Sequence, residues 1–458
     1  MPVTAESGWA ARLRGNFEAM GRFARRLAPL APAVLALSAG AQAETTDNWA
    51  GQWDVTTEFA NGSAAGTLTL RRNGNSIEGS SGPLDESQFF PLDVKGRPSA
   101  NGAELDLSYR GEPVGRLSVR LRDRALSGTG ILYGMAVTIR GDRPGPPRRP
   151  PVTHDFVPTV YHLQYSGRTA PVLRIAPGDR VRTRTLDNEG RDSARQWRGM
   201  PGNPLTGPFH VEGAMPGDTL VVHLERIALN RDTAHMYSGT LNEKAVQGGY
   251  AQQAAPGWGR TWILDRKKGT ARLEKPGERL GSLELKLSPM VGSIGVAPPL
   301  NQALFAGDVG FHGGNMDYRR HVAGATIHLP VWRAGALLSL GDGHALQGDG
   351  EISGQGLETS LDVEFRVELI KGKSLGQVWS EDSDYVMVSG IDNSLDSALQ
   401  MATTGMARWL KENYRLNDSE VAALLSSSIE YDIAEIVDPR PHVVAKVAKR
   451  TLLTITRP

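Results

Sequence analysis

Apolar residues along the chain follow three regimes. From residue 44 to about 143 they alternate with polar ones, as in Trp53-Val55-Thr57-Phe59, Leu68-Leu70, Leu105-Leu107-Tyr109, Leu117-Val119-Leu121 and Met135-Val137-Ile139. Alternation of this kind marks strands with one face on a core and one in water. The pairs Asn61-Gly62, Asn73-Gly74 and Asn101-Gly102 tolerate positive φ and read as tight hairpins between such strands. The pattern predicts an up-and-down meander closing as a small barrel, with Gly79-Ser80-Ser81-Gly82 as one further hairpin connection.

The second regime follows a spacer. Pro144-Gly145-Pro146-Pro147-Arg148-Arg149-Pro150-Pro151 favours extended structure and cannot join a central strand. Downstream, Leu361-Val363-Phe365-Val367-Leu369 alternates with charged residues, and Leu283-Leu285-Leu287 and Ile327-Leu329-Val331 behave alike. Pro177-Gly178-Asp179 and Pro216-Gly217-Asp218 have the order that type II turns want. Near the end the period changes to that of a helix. Leu395, Ala398, Leu399, Ala402, Met406, Trp409 and Leu410 form one stripe, with Asp392 or Asn393 as cap. A second helix starts at Asn417, with Glu420 completing a capping box. The expected fold class is mainly β: a small barrel or meander over 44–143, a Pro-rich linker over 144–151, and a larger β-sandwich-rich region over 152–458. The C-terminal helices make the latter α+β.

The first 43 residues stand apart. Arg22, Arg25 and Arg26 precede an apolar stretch from Leu27 to Leu37, and Ala41-Gln42-Ala43 is a small-residue cleavage site. This reads as a signal peptide removed after Ala43, with Met1 or Met20 as the start, and predicts a periplasmic or secreted protein. No later stretch has the length and apolarity of a membrane helix, so no integral membrane segment is expected after cleavage. Lys and Arg total 51 against 50 Asp and Glu, a net of +1, which argues against a nucleic-acid partner. Cysteine is absent, which removes thiol nucleophiles, disulfides and thiolate metal sites.

Candidate chemistry gathers in glycine-rich patches of the middle region. The densest is Gly341-Asp342-Gly343-His344-Ala345-Leu346-Gln347-Gly348-Asp349-Gly350-Glu351. In an extended chain Asp342 and His344 share one side, as do Asp349 and Glu351. Glycines this dense imply tight turns or close approach of backbone to a ligand. Such carboxylates and an imidazole can ligate a divalent metal or supply a general base, and a polar hairpin with a solvated face has the same pattern. A patch from Asn203 to Ala214 puts His210 and Glu212 on one strand face. His312-Gly313-Gly314-Asn315-Met316-Asp317 presents an imidazole, a carboxamide and a carboxylate, and His162 and Asp187 lie near early strands.

These patches, in this order and spacing, resemble the acetamidase/formamidase family over roughly residues 154–450. Leu329-Pro330-Val331 before Gly335-Ala336-Leu337-Leu338, and Val437-Asp438-Pro439 in the tail, carry the same likeness. The resemblance implies hydrolysis of a C–N bond in small linear amides with release of ammonia, on a β-rich fold. The matching polar positions are His162, Asp187, Glu212, Asn315, Asp317, Asp342, His344, Asp349 and Glu351. Asp187-Asn188-Glu189-Gly190 departs from the family's more usual Asp-Ala and Gly pair. On this footing the expected mechanism is metal-assisted water attack. A divalent metal, zinc by preference, is held by Asp342 and His344 with Asp187, Glu212 or His162. Glu351 or Asp349 acts as base, and Asn315 or backbone N–H groups of the Gly pair stabilise the oxyanion, with Asp317 beside them. A metal-free carboxylate base stays open, as does a non-catalytic small-molecule or carbohydrate-binding protein on the same scaffold. The expected partner is a small amide substrate, and a homo-oligomer is compatible with the sequence.

Overall fold

The computed structural model describes residues 49–456 apart from 61, 84–90, 100–101, 144–148, 257–260 and 301. The predicted leader, most of the Pro-rich run, Asn61 and Asn101 lie outside the described residues.

The alternating N-terminal segments are strands, and they close. β1 (Gly51–Phe59), β2 (Gly62–Asn73), β3 (Ser76–Pro83), β4 (Leu92–Ser99), β5 (Gly102–Tyr109), β6 (Glu112–Arg122), β7 (Ala125–Leu132) and β8 (Met135–Asp142) pair in sequence order as a closed barrel, and β8 returns to β1. Trp53, Ile77, Leu105 and Leu126 are fully buried inside it. Gly79-Ser80-Ser81-Gly82 is not a hairpin connection. It lies within β3, where a Cβ on Gly79 would sit 2.0 Å from the Thr69 carbonyl oxygen. Glycine there permits close strand approach and hides the alternation from a sequence reading.

Beyond the barrel two sheets pack face to face. The nine-stranded sheet is centred on Thr219–Leu229, Leu361–Ile370 and Thr326–Pro330, and continues through Tyr385–Ile391 to His442–Ala448. The eleven-stranded sheet is built around Leu205–Val211, Leu338–His344 and Met290–Gly295. Leu220, Val222, Val363 and Phe365 from the first share one core with Phe209, Ile294, Leu338 and Leu340 from the second. Each such side chain stabilises the fold by about 1.5–3 kcal/mol through burial, so these two faces fix the frame. The predicted alternation over Leu361–Ile370 holds, whereas only Leu285 of the Leu283-Leu285-Leu287 set is in a strand. The two Pro-Gly-Asp turns do more than reverse the chain. Gly178 and Gly217 take positive φ, and Asp179 and Asp218 accept the N–H of Ala176 and Met215.

The helix α1 (Leu395–Tyr414) is capped by Ser394, one residue after Asn393 and two after Asp392. Its Ala402, Met406 and Leu410 pack on Val388, Ala445 and Val447, while Leu395 and Leu399 turn outward. The next helix, α2 (Asp418–Ser428), has the predicted Asn417 and Glu420 capping box. No helix among the described residues is long and apolar enough to cross a membrane. Arg333 Nη2 donates to the Ser63 carbonyl and hydroxyl at 2.8 Å, joining the sandwich to the barrel.

Removing the Phe365 ring should lower stability steeply. Phe365→Ala is expected to lose about 3–5 kcal/mol in guanidinium unfolding. Leu399→Ala, on an exposed turn, should stay within about 0.5 kcal/mol.

Candidate active site

One strand and its neighbours set the site. Leu338–His344 is buried along its whole length and pairs with Met290–Gly295 on one side and Leu205–Val211 on the other. Its C-terminal end delivers Asp342 to the floor of a cleft of about 470 Å³, which Asp317, Glu351, Glu358 and Asp438 also line, and sets the buried His344 against Asp342 and Glu358. Close packing there depends on Gly292. A Cβ at that residue would stand 2.3 Å from Asp317 Oδ1 and 3.0 Å from Asp342 Oδ2. Asp317, Asp342 and Glu351 all have left-handed backbones, with φ of 38°, 53° and 44°. Non-glycine residues held so cost on the order of 1–3 kcal/mol each, and such strain gathers where geometry serves chemistry.

Asp342, Asp317, Asp438 and Glu358 are each anchored through one carboxylate oxygen. Asn203 Nδ2 donates to Asp342 Oδ2 at 3.0 Å. Asn315 Nδ2 donates to Asp317 Oδ2 at 2.5 Å and to Asp438 Oδ2 at 2.6 Å. The Gly356 N–H donates to Glu358 Oε1 at 3.0 Å. On the imidazole, Nδ1 lies 2.7 Å from Gln347 Oε1, an acceptor, so this nitrogen carries the proton. Gln347 Nε2 is itself held by the carbonyls of Asp317 and Ala434. His344 Nε2 therefore presents its lone pair to Glu358 Oε1 at 3.2 Å and Asp342 Oδ1 at 3.5 Å.

That arrangement calls for a positive charge among its lone pairs. Asp317 Oδ1, Asp342 Oδ1, His344 Nε2 and Glu358 Oε2 are buried without any hydrogen-bond partner. Ligand atoms of Asp317, Asp342 and His344 lie within 4.8 Å of one another, as do those of His344, Glu351 and Glu358. Lone pairs packed this closely repel unless a proton or metal ion stands between them. Burial pushes Glu358 and Asp438 up to about 7 and raises Asp317 and Glu351 well above the carboxylate range. Burial alone would depress His344, yet Glu358 and Asp342 beside it hold its proton affinity well above that of a free imidazole. The donor set suits a divalent ion, because imidazole nitrogen and carboxylate oxygen ligate it together.

Of the residues singled out in the sequence, the fold brings together Asn315, Asp317, Asp342, His344 and Glu351. Asn315 is a scaffold rather than a free oxyanion donor, since its amide group is engaged by two carboxylates. Four residues lie elsewhere. Asp349 and Glu351 sit on a short 3-10 turn, not an extended strand, so they diverge: Glu351 is buried while Asp349 is exposed and paired with Arg319. Asp187 accepts the N–H of Glu189 and Arg191 and is neutralised by Arg231 at 2.8 Å. Its neighbour Asn188 lines the cleft instead. Glu212 is exposed beyond the far end of Leu205–Val211, about 30 Å along an extended chain from Asn203. His162 is half-buried in a bridge to Leu205, and burial lowers its proton affinity. Glu358, Asp438, Asn203 and Gln347 were not assigned roles from the sequence. Asn203 and Gln347 lie inside the quoted patches, and Asp438 inside the tail motif, whereas Glu358 has only an ordinary strand context.

A family model described as the Acetamidase/Formamidase family matches residues 158–305 and 309–450. The chain belongs to the acetamidase/formamidase family. It is 26% identical over 341 residues to a formamidase from Methylophilus methylotrophus, covering 58% of this chain and 83% of that one. An acetamidase from Mycolicibacterium smegmatis is 30% identical over 237 residues, 41% of this chain and 58% of that one. A solved structure described as a recombinant predicted acetamidase/formamidase from Thermoanaerobacter tengcongensis superposes with a TM-score of 0.57 at 29% identity. That match covers 66% of this chain and 98% of the other. As a member of the acetamidase/formamidase family this protein is an amidase, an enzyme that hydrolyses amides. The family match begins at residue 158, so the barrel lies outside it.

The cradle at Gly292 offers a direct check. Gly292→Ala should leave circular dichroism unchanged but displace Asp317, reducing ammonia release from acetamide by about 100-fold, the scale of a 1 Å misplacement. Wild-type rates in the folded variant would mean that the carboxylate position does not matter.

Proposed function

We propose that this amidase is an exported hydrolase of small linear amides, of formamide or acetamide size, and that it works with a divalent metal ion. The reading is carried by four buried atoms without hydrogen-bond partners, on Asp317, Asp342, His344 and Glu358: ligand atoms of the first three residues lie within 4.8 Å of one another, and Glu358 stands 3.2 Å from the same imidazole. Those four residues would hold the ion, and zinc accepts such a mixed nitrogen and oxygen set. An ion there would polarise a carbonyl oxygen and make water nucleophilic near neutral pH. The names of the relatives, formamidase and acetamidase, support a small substrate. The basic, apolar and Ala-x-Ala segments before Glu44 support export.

The chain's own groups handle the proton. Glu351 lines the cleft beside the cluster, and burial raises its proton affinity well above that of a free carboxylate, which suits a group that exchanges protons. It takes a proton from water as the new C–O bond forms. It then returns that proton to the amide nitrogen as the C–N bond breaks, so nitrogen leaves as ammonia and the acyl carbon as a carboxylic acid. Asn203 and Asn315 keep the free oxygens of Asp342 and Asp317 aimed inward. Lys244 Nζ donates to the carbonyls of Val437 and Asp438 at 3.1 and 2.6 Å, fastening the cleft wall that carries Asp438.

Metal content and turnover should separate on substitution. His344→Ala is expected to lose bound metal, by elemental analysis, together with ammonia release from formamide and acetamide. Glu351→Gln should keep the metal and lose about 100-fold or more in kcat, the contribution of general acid–base catalysis. Equal metal content and equal rates in His344→Ala would overturn the reading. Export is checked separately, by a mature N-terminus at Glu44 in a periplasmic fraction.

A further inference from the structure

The barrel contributes none of the residues that line the amidase cleft. Its own interior is filled at one end, and among the described residues a cavity remains toward the other. Strand pairing fixes which side chains face inward, because directly opposed residues in an antiparallel pair share a face. Trp53 opposes Leu68, Val55 opposes Gly66 and Thr57 opposes Ala64, while Leu68 in turn opposes Ser81. At the end where β1 begins, Trp53, Leu70, Ile77 and Leu126 fill the interior, and the Arg143 guanidinium stands 4.5 Å from the Trp53 ring.

Toward the β7–β8 hairpin one wall turns small. Thr57, Ala64, Gly66 and Ser81 leave space that Leu92, beside Ser81, and Leu107 and Leu132 do not fill. The result is an apolar cavity of about 70 Å³, several times the roughly 10–15 Å³ that one water requires. No charged side chain lines it among the described residues; Thr57 and Ser81 bring inward hydroxyls. The hairpin beside Leu132 carries Ile131, Tyr133 and Met135 at 51%, 41% and 44% exposure, an apolar rim. Eight-stranded barrels are just wide enough either to be filled by side chains or to hold one small ligand. A small-residue wall at one end leaves room for the second.

We propose that the barrel binds a single slender aliphatic chain bearing an uncharged hydrogen-bonding head, with the chain against Val94, Leu105 and Leu117 and the head at Thr57 and Ser81. Among the described residues no charged side chain lines the cavity to neutralise a charged head, and a dry apolar cavity takes up apolar matter more readily than water. The site is separate from the amide chemistry and does not rest on it.

Calorimetric titration of the full chain with 1-hexanol and with hexanoate tests this. One hexanol should bind per chain, and hexanoate should bind more weakly. Ala64→Leu and Ser81→Leu each fill the space, and each should weaken hexanol binding about tenfold or more, because about two chain methylenes lose their place. Near-UV circular dichroism identifies the variants that keep the barrel folded. The proposal fails if wild type shows no hexanol binding up to the solubility limit, or if a folded variant binds as tightly as wild type. Hexanoate binding as tight as hexanol would overturn the uncharged head.

Discussion

Mutual repulsion among buried acids governs the design of this molecule. Asp317, Asp342, Glu351 and Glu358 meet around one imidazole, and all four are buried where solvent screens them little. Left to themselves they would separate or take up protons. Two asparagines, a glutamine and a glycine prevent the first. Asn203 and Asn315 hold one oxygen of each aspartate, Gln347 fixes the imidazole tautomer, and Gly292 leaves the volume in which the carboxylates sit. The second outcome, proton uptake, is what metal binding would reverse, since protons and a metal ion compete for the same lone pairs.

Such a site needs a rigid support, and the sandwich provides it. Leu338–His344 is clamped between two antiparallel neighbours, with its apolar residues in the shared core, Asp342 in the cleft and His344 buried beside it. One strand thus couples packing energy to the placement of Asp342 and His344. The strained backbones of Asp317, Asp342 and Glu351 are held by that packing rather than by local preference.

Much of the fold could be read from periodicity. The alternation of Leu361–Ile370 and the Asn417 and Glu420 capping box are local signals, and local signals survive folding. β3 was obscured because its inward positions include Gly79 and Ser81, which carry no apolar bulk to count. The site was legible where ligands share a strand, as Asp342 and His344 do. Glu358 was not, because its proximity comes from strand pairing of His344 with Glu358, a contact between elements that spacing along the chain does not encode. Asp349 shows the opposite error: a two-residue spacing places side chains together on a strand and apart on a 3-10 turn. Of the patch from Asn203 to Ala214, Asn203 reaches the cleft and Glu212 does not.

The carboxamide of Asn315 also bears on how substitutions here are to be judged. Aspartate has nearly the same shape, and a similarity score would treat the exchange as mild. Yet Asn315 Nδ2 is the donor that bridges Asp317 and Asp438, so the exchange replaces that donor with an oxygen facing both carboxylates. Spontaneous deamidation makes the same exchange without any mutation. The side chain that binds the acids together is thereby also the point at which ageing of the polypeptide would take the site apart while leaving its outline intact.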